Sequence, residues 1–253
     1  MLKNEKILVV GAGGLLGARI VVSLLSQGAK VVAADINLKA MSQKLSENGI
    51  DVDQLSLILQ GLDITNEVAV KLFFENQQDL TGAVNATFPR NKSFGTHFLD
   101  VSLESFNENL TIHLGSAFLF IQQCAVYFQK NKTPFSLVNF SSIYGVVAPK
   151  FEIYDGTSMT TAVEYAAMKS AIIHLNKYAS SYIKNSKFRV NSVSPGGIFD
   201  SQPEAFLNAY KKHTNGTGML KSDDLVGSVA FLLSSYSKHV TGQNIVVDDG
   251  FTL

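Results

Sequence analysis

Tyr165 and Lys169 stand four residues apart in the run Tyr165-Ala166-Ala167-Met168-Lys169. On a helix, that spacing puts a phenol and an ammonium on one face, a turn apart. A phenol can pass a proton to or from an alcohol oxygen. A neighbouring cation favours its phenolate, drawing the pKa down from about 10. Ser141-Ser142 offers hydroxyls able to hold that oxygen in place. Neither signal is specific alone, since Tyr and Lys at this spacing occur on ordinary amphipathic helices and serines at strand ends commonly make turns.

Their partner is Gly11-Ala12-Gly13-Gly14-Leu15-Leu16-Gly17. Between a strand and a helix, glycines allow a tight turn and let backbone N–H groups and the helix N-terminus approach a pyrophosphate. Asp35 closes the second strand-like run, where a carboxylate can bind both ribose hydroxyls of an adenosine and repel a 2′-phosphate. NAD is therefore favoured over NADP, with Lys39 the nearby cation that would serve a phosphate. A dinucleotide carrying hydride and a phenol moving a proton together describe an oxidoreductase.

Strands and helices must bring these residues to one edge. Ile7-Leu8-Val9-Val10 is a continuous apolar run, as for a strand covered on both faces. Leu16, Ile20 and Leu24 then recur at helical spacing until Gly28. Further strands are expected at 31–34, 57–59, 83–84, 135–140, 189–193 and 245–247. Helices are expected near 37–47, from a Thr65 cap to Phe74, and at 103–128, 163–182, 204–210 and 222–233. This alternation predicts an α/β fold, a doubly wound parallel seven-stranded sheet with helices on both faces. Ser142 and Pro195-Gly196-Gly197 then follow strands at the carboxyl edge, where open α/β sheets bind ligands. No repeat or linker interrupts the chain, so residues 1–253 are expected to form a single domain whose loops supply specificity.

Composition mostly excludes. Lys and Arg together number 21, as do Asp and Glu, so no global charge draws nucleic acid or an anionic membrane. Cys124 is the only cysteine, which rules out an internal disulfide and a cysteine-built zinc site and fits a reducing compartment. His97, His174, His213 and His239 show no ligand spacing, and no metal is expected. Lys3 and Lys6 before residues 7–16 loosely have the form of an export signal, but glycines and Arg19 break it. No uninterrupted apolar run reaches the ~18 residues of a membrane span. A cytoplasmic protein without nucleic-acid or membrane partners is expected.

The chain resembles the short-chain dehydrogenase/reductase family over essentially its full length. The matching segments are GAGGLLG at 11–17, Asp35, LDIT at 62–65, VNA at 84–86 and SSIYG at 141–145, continuing with YAAMK at 165–169, RVNSVSPGGI at 189–198 and TGQNIVVDDG at 241–250. The resemblance implies a Rossmann-type fold, with Tyr165 as acid/base, Lys169 lowering its pKa and binding the nicotinamide ribose, and Ser142 orienting substrate. By the same resemblance Gly11, Gly14, Leu16 and Gly17 form the dinucleotide loop, and Asp63 and Ile64 contact adenine. Asn85 would lie near the nicotinamide-side ribose, while Pro195 and Ile198 line the nicotinamide. Pairing of the helices at 103–128 and 163–182 implies a homodimer or homotetramer.

Several positions depart from the family pattern. The glycine loop has the Gly-x-x-Gly-x-x-Gly spacing of the longer epimerase-type members. Val84-Asn85-Ala86-Thr87 replaces the usual Asn-Asn-Ala-Gly, and His113 stands where a catalytic Asn is usual, either as a proton shuttle or as a buried packing residue. Asp200 occupies a position where Thr often binds the cofactor amide. The interval between Ser142 and Tyr165 is longer than usual and polar, which suits a hydroxylated substrate, and Arg90 could bind a phosphate. VAPKFEIYDGTSM, VEYAAMKSAIIHLNKY and SPGGIFDSQPEAF look like the flagellin-modification branch of the family, which implies a sugar phosphate or nucleotide-sugar substrate. Alternatives are a nucleotide-sugar epimerase or dehydratase and a non-catalytic dinucleotide sensor.

Overall fold

The computed structural model describes all residues 1–253. Seven strands, β1 (Lys6–Val10), β2 (Lys30–Asp35), β3 (Leu57–Gly61), β4 (Gly82–Asn85), β5 (Phe135–Phe140), β6 (Phe188–Pro195) and β7 (Asn244–Val247), form one sheet. All neighbours pair in parallel, in the order β3-β2-β1-β4-β5-β6-β7. The order reverses between β1 and β4, so the loops after these strands diverge and leave a crevice at their carboxyl ends.

Side chains alternate across the sheet, as strand geometry requires. Ile7, Val9, Val31, Ala33, Val84 and Val138 face α1 (Leu15–Ser26), α2 (Leu38–Glu47) and α8 (Val226–Leu233). Leu8, Val10, Val32, Ala83, Leu137 and Val190 face α3 (Glu67–Glu75) and α5 (Ser116–Asn131), where Phe74, Phe120, Tyr127 and Phe128 fill the layer with aromatic volume. Cys124 is a buried free thiol in this second layer. Ile143, Ile153, Phe206, Tyr210 and Phe251 make a separate small cluster beside the crevice.

The expected elements occur, with three informative differences. Thr65 does not cap α3: it bonds Asp63, while the Asn66 side chain accepts from Ala69 N–H. The long helix expected at 103–128 extends to Asn131 and consists of α4 (Leu103–Asn109), a π-helical turn Leu110–Gly115 and α5. That stretch is long and apolar enough to cross a membrane, but only half of its most apolar window is accessible, since it packs against the sheet. The interval 143–162 is not simply a polar loop. It folds into two 3-10 turns, Ile143–Gly145 and Phe151–Tyr154, whose inner face is apolar.

Arginine is spent mainly on structure. Buried Arg189 donates to the carbonyls of Leu232 (2.7 Å) and Ser234 (3.1 Å) at the end of α8 and to Ser237 Oγ (2.6 Å). Arg19 pairs with Asp223 at 2.7 Å. Only Arg90 remains beside the crevice.

Candidate active site

Steric closeness at the glycine turn shapes the first half of the cleft. Gly11 has φ +77°, and a Cβ at Gly17 would overlap the Gly11 carbonyl, so the loop lies flat against the start of α1. No side chain caps α1 at Gly14, which leaves its first N–H groups open for an anion. Asp35 is fixed at the end of β2: Oδ2 accepts from Gly13 N–H at 2.9 Å and Oδ1 from Asn37 N–H at 3.1 Å. Gly13 was not among the expected site residues, and the second glycine of the Gly13-Gly14 pair was its only signal.

The catalytic half forms where β5 meets α6 (Val163–Ile183). Ser141 Oγ donates to the Lys169 carbonyl at 2.7 Å, and a Cβ on Gly145 would strike the same peptide. The turn carrying Ser142 is thereby pressed onto the helix that carries Tyr165 and Lys169. Ser142, Tyr165 and Lys169 all line one cleft of about 960 Å³. Gly11, Gly14, Leu16, Asp35, Asp63, Ile64, Pro195 and Ile198 line it too.

Lys169 is 4% exposed and donates to the Phe140 carbonyl at 3.0 Å, with its ammonium 5.5 Å from the Tyr165 ring centroid. Burial pushes its pKa down to about 7. Burial also raises the Tyr165 phenol, and the Ser142 hydroxyl opposes that shift. The expected lowering of Tyr165 by Lys169 is thus not met by the protein's own groups. An ammonium near its titration point carries less charge to offer.

Three expected site residues sit off the cleft wall: Gly17, packed against the Gly11 carbonyl beneath the turn, Asn85 and His113. Asn85 turns its Oδ1 into a local turn, accepting from Thr87 N–H (3.1 Å) and Oγ1 (2.7 Å), and Thr87 faces the cleft instead. His113 is buried in the π-helical turn, its ring near-perpendicular to that of Phe88 with the centroids 5.1 Å apart. Its Nδ1 has no partner, and burial together with the Lys169 charge lowers its pKa to about 3. Phe88 and Tyr154 line the cleft and were not among the expected catalytic or cofactor residues.

A family model described as enoyl-(acyl carrier protein) reductase matches residues 11–252. The post-translational flagellin modification protein A of Campylobacter coli is 38% identical, with all of both chains covered. The chain belongs to the short-chain dehydrogenase/reductase family. A 7alpha-hydroxysteroid dehydrogenase of Bacteroides fragilis is 28% identical over 99% of this chain and 95% of its own. The crystal structure of a short-chain dehydrogenase from Leptospira borgpetersenii with bound NAD+ superposes with a TM-score of 0.87 at 33% identity, covering 100% of this chain and 94% of that one. As a short-chain dehydrogenase/reductase, the protein is an NAD(P)-dependent oxidoreductase acting on a small molecule. The uncapped start of α1, the glycine cradle that a Cβ would fill and the fixed Asp35 carboxylate suit such a dinucleotide.

Proposed function

We propose that this enzyme oxidises or reduces a C–OH/C=O centre of a polar sugar derivative, a sugar phosphate or nucleotide sugar, with NAD preferred over NADP as the hydride carrier. The observation that carries this reading is the convergence of Ser142, Tyr165 and Lys169 at the carboxyl end of β5. Ser142 Oγ holds the reacting oxygen and the Tyr165 hydroxyl gives or takes its proton. Lys169 binds a ribose, and together with the positive charge that an oxidised nicotinamide would supply it stabilises the phenolate. His113 acts from behind Lys169, as a neutral imidazole with an open acceptor at Nδ1, rather than on the substrate itself.

Gly11, Gly14, Leu16 and Gly17 hold the pyrophosphate side, Asp35 the adenosine ribose, and Asp63 and Ile64 the adenine. Pro195 and Ile198 line the nicotinamide pocket, and Asn85 supports its ribose side through the Thr87 turn. Arg90 leans on the rings of Phe88 and Phe94, at 5.0 and 6.0 Å, so its guanidinium faces a substrate phosphate without a competing carboxylate. Likeness to the flagellin modification protein supports a sugar of the nonulosonic-acid type. Retention of the Tyr165/Lys169 pair weighs against a purely sensory role.

The reading includes one catalytic domain, cytoplasmic and homo-oligomeric. Exposed Phe118 and Val126 on α5, with Tyr178 and Tyr182 on α6, form an apolar face for pairing subunits, which light scattering tests. The central test is a screen of sugar phosphates and nucleotide sugars with each cofactor, repeated with Tyr165→Phe. Loss of that phenol should lower kcat by about 10²–10⁴-fold and leave dinucleotide affinity intact. Near-wild-type turnover in the variant would refute the assignment.

A further inference from the structure

The interval between Ser142 and Tyr165 brings two further phenols, Tyr144 and Tyr154, into the cleft. In the turn Phe151–Tyr154, Ile153 is buried and the Tyr154 ring tilts against Phe206 at 5.2 Å. Phe206 belongs to α7 (Glu204–Lys211) and packs with Tyr210, which stacks on Phe251 at 4.6 Å. Lys150 closes the arrangement: its ammonium donates to the Phe251 carbonyl at 3.0 Å and lies 4.7 Å from that ring's centroid. Tyr154 is therefore held in place by packing contacts from α7 as well as by its own turn.

Tyr154 uses this support to place its hydroxyl 3.0 Å from that of Tyr144, whose own turn begins at Ser142. Both phenols line the same cleft as Ser142 and Tyr165. Burial, with the neighbouring Tyr154 hydroxyl, raises the Tyr144 pKa and keeps that phenol neutral. Two hydroxyls bonded to each other retain one free O–H and several lone pairs. In this pair, those remaining sites belong to residues of the cleft wall.

We propose that Tyr144 and Tyr154 read a second substrate oxygen, a hydroxyl on the carbon next to the reacting centre. The ligand class is a vicinal diol and its α-hydroxy ketone counterpart. Neighbouring oxygens of a diol lie at hydrogen-bond separation from one another, so a substrate oxygen held by Ser142 and Tyr165 keeps its neighbour inside the cleft that the phenol pair lines. The inference rests on the proposed role of Ser142 and Tyr165.

The probes are cis-1,2-cyclohexanediol and cyclohexanol, with wild type, Tyr154→Phe and Tyr144→Phe. Oxidation is followed with NAD, and contact is followed by saturation-transfer NMR on protein saturated with NADH. Wild type should prefer the diol, and that preference should fall at least tenfold in both variants, with NADH affinity and melting temperature preserved. A preference equal in wild type and variants, or no preference in wild type, overturns the proposal. A tyrosine-dependent preference in binding without oxidation of either probe supports the diol site and counts against the proposed chemistry instead.

Discussion

The two halves of the cleft are built from different material. The dinucleotide half is mostly backbone: a flat glycine turn, the open start of α1, and a carboxylate tied to that turn by the Gly13 N–H. The substrate half is mostly side chain, drawn from the 143–162 interval, α7 and Phe251 into an aromatic cluster separate from both sheet layers. A backbone site is fixed by sterics at very few positions, so it admits little change. A side-chain site can be reshaped without disturbing the sheet, which is how one scaffold serves steroid and sugar dehydrogenases alike.

If the halves are independent, damage to one should spare the other. Phe251 is fully buried, and Phe251→Ala removes the ring on which Tyr210 stacks and over which Lys150 lies. The expected cost is about 3–5 kcal/mol, read as a lower urea midpoint. Substrate KM should rise while NADH affinity, titrated by fluorescence, stays within about twofold. A large loss of NADH affinity in a still-folded variant would join the halves into one unit.

The reciprocal change is Gly17→Ala. Its methyl would overlap the Gly11 carbonyl, and backbone on both sides has no room to yield. Overpacking of this kind costs about 1–3 kcal/mol, and NADH binding should weaken strongly because the turn must lift from α1. Aromatic near-UV circular dichroism, which reports the packing of the substrate-side cluster and of the sheet's own aromatic layer, should be unchanged. Asp35→Asn is a milder probe of the same half: its single amide oxygen can accept from only one of the Gly13 and Asn37 N–H groups, and it removes the charge that repels a 2′-phosphate. The ratio of NADP to NAD efficiency should rise about tenfold, equivalent to about 1.4 kcal/mol; an unchanged ratio would remove Asp35 as the selector.

The same difference in material explains what the sequence disclosed. Runs such as Ile7–Val10 and Phe135–Phe140 are buried on both faces and read directly as central strands, and a glycine turn between strand and helix has few other uses. Tyr165 and Lys169 were legible because helical spacing is local. His113 was harder to interpret, because the regular apolar period of 103–128 conceals a π-helical turn that needs no special residue type. Tyr154 is legible as a polar residue of the loop over the site, but its support was not, because Phe206 is distant in sequence and brought to it only by the fold. Asn85 has a family position but a turn-making contact, a choice decided by Thr87.

The seam between the halves should respond to pH. Lys169 titrates at about 7 in the folded chain against an ordinary 10.5, and His113 at about 3 against 6.5. Between pH 7 and 10.5 the unfolded chain holds a Lys169 proton that the folded chain has lost, so stability rises with pH across that window. Between pH 6.5 and 3 the unfolded chain gains a His113 proton that the folded chain refuses, so stability falls on acidification. Each group contributes a slope of at most about 1.4 kcal/mol per pH unit inside its window. Urea midpoints measured from pH 4 to 9.5 should show Lys169→Met flattening the alkaline limb and His113→Asn flattening the acid limb. Both residues pack against Phe88, whose ring also meets Tyr165 in the cleft. Unchanged slopes in both variants would mean that the two groups are better solvated than their burial implies, and that the seam is open to water rather than sealed by Phe88.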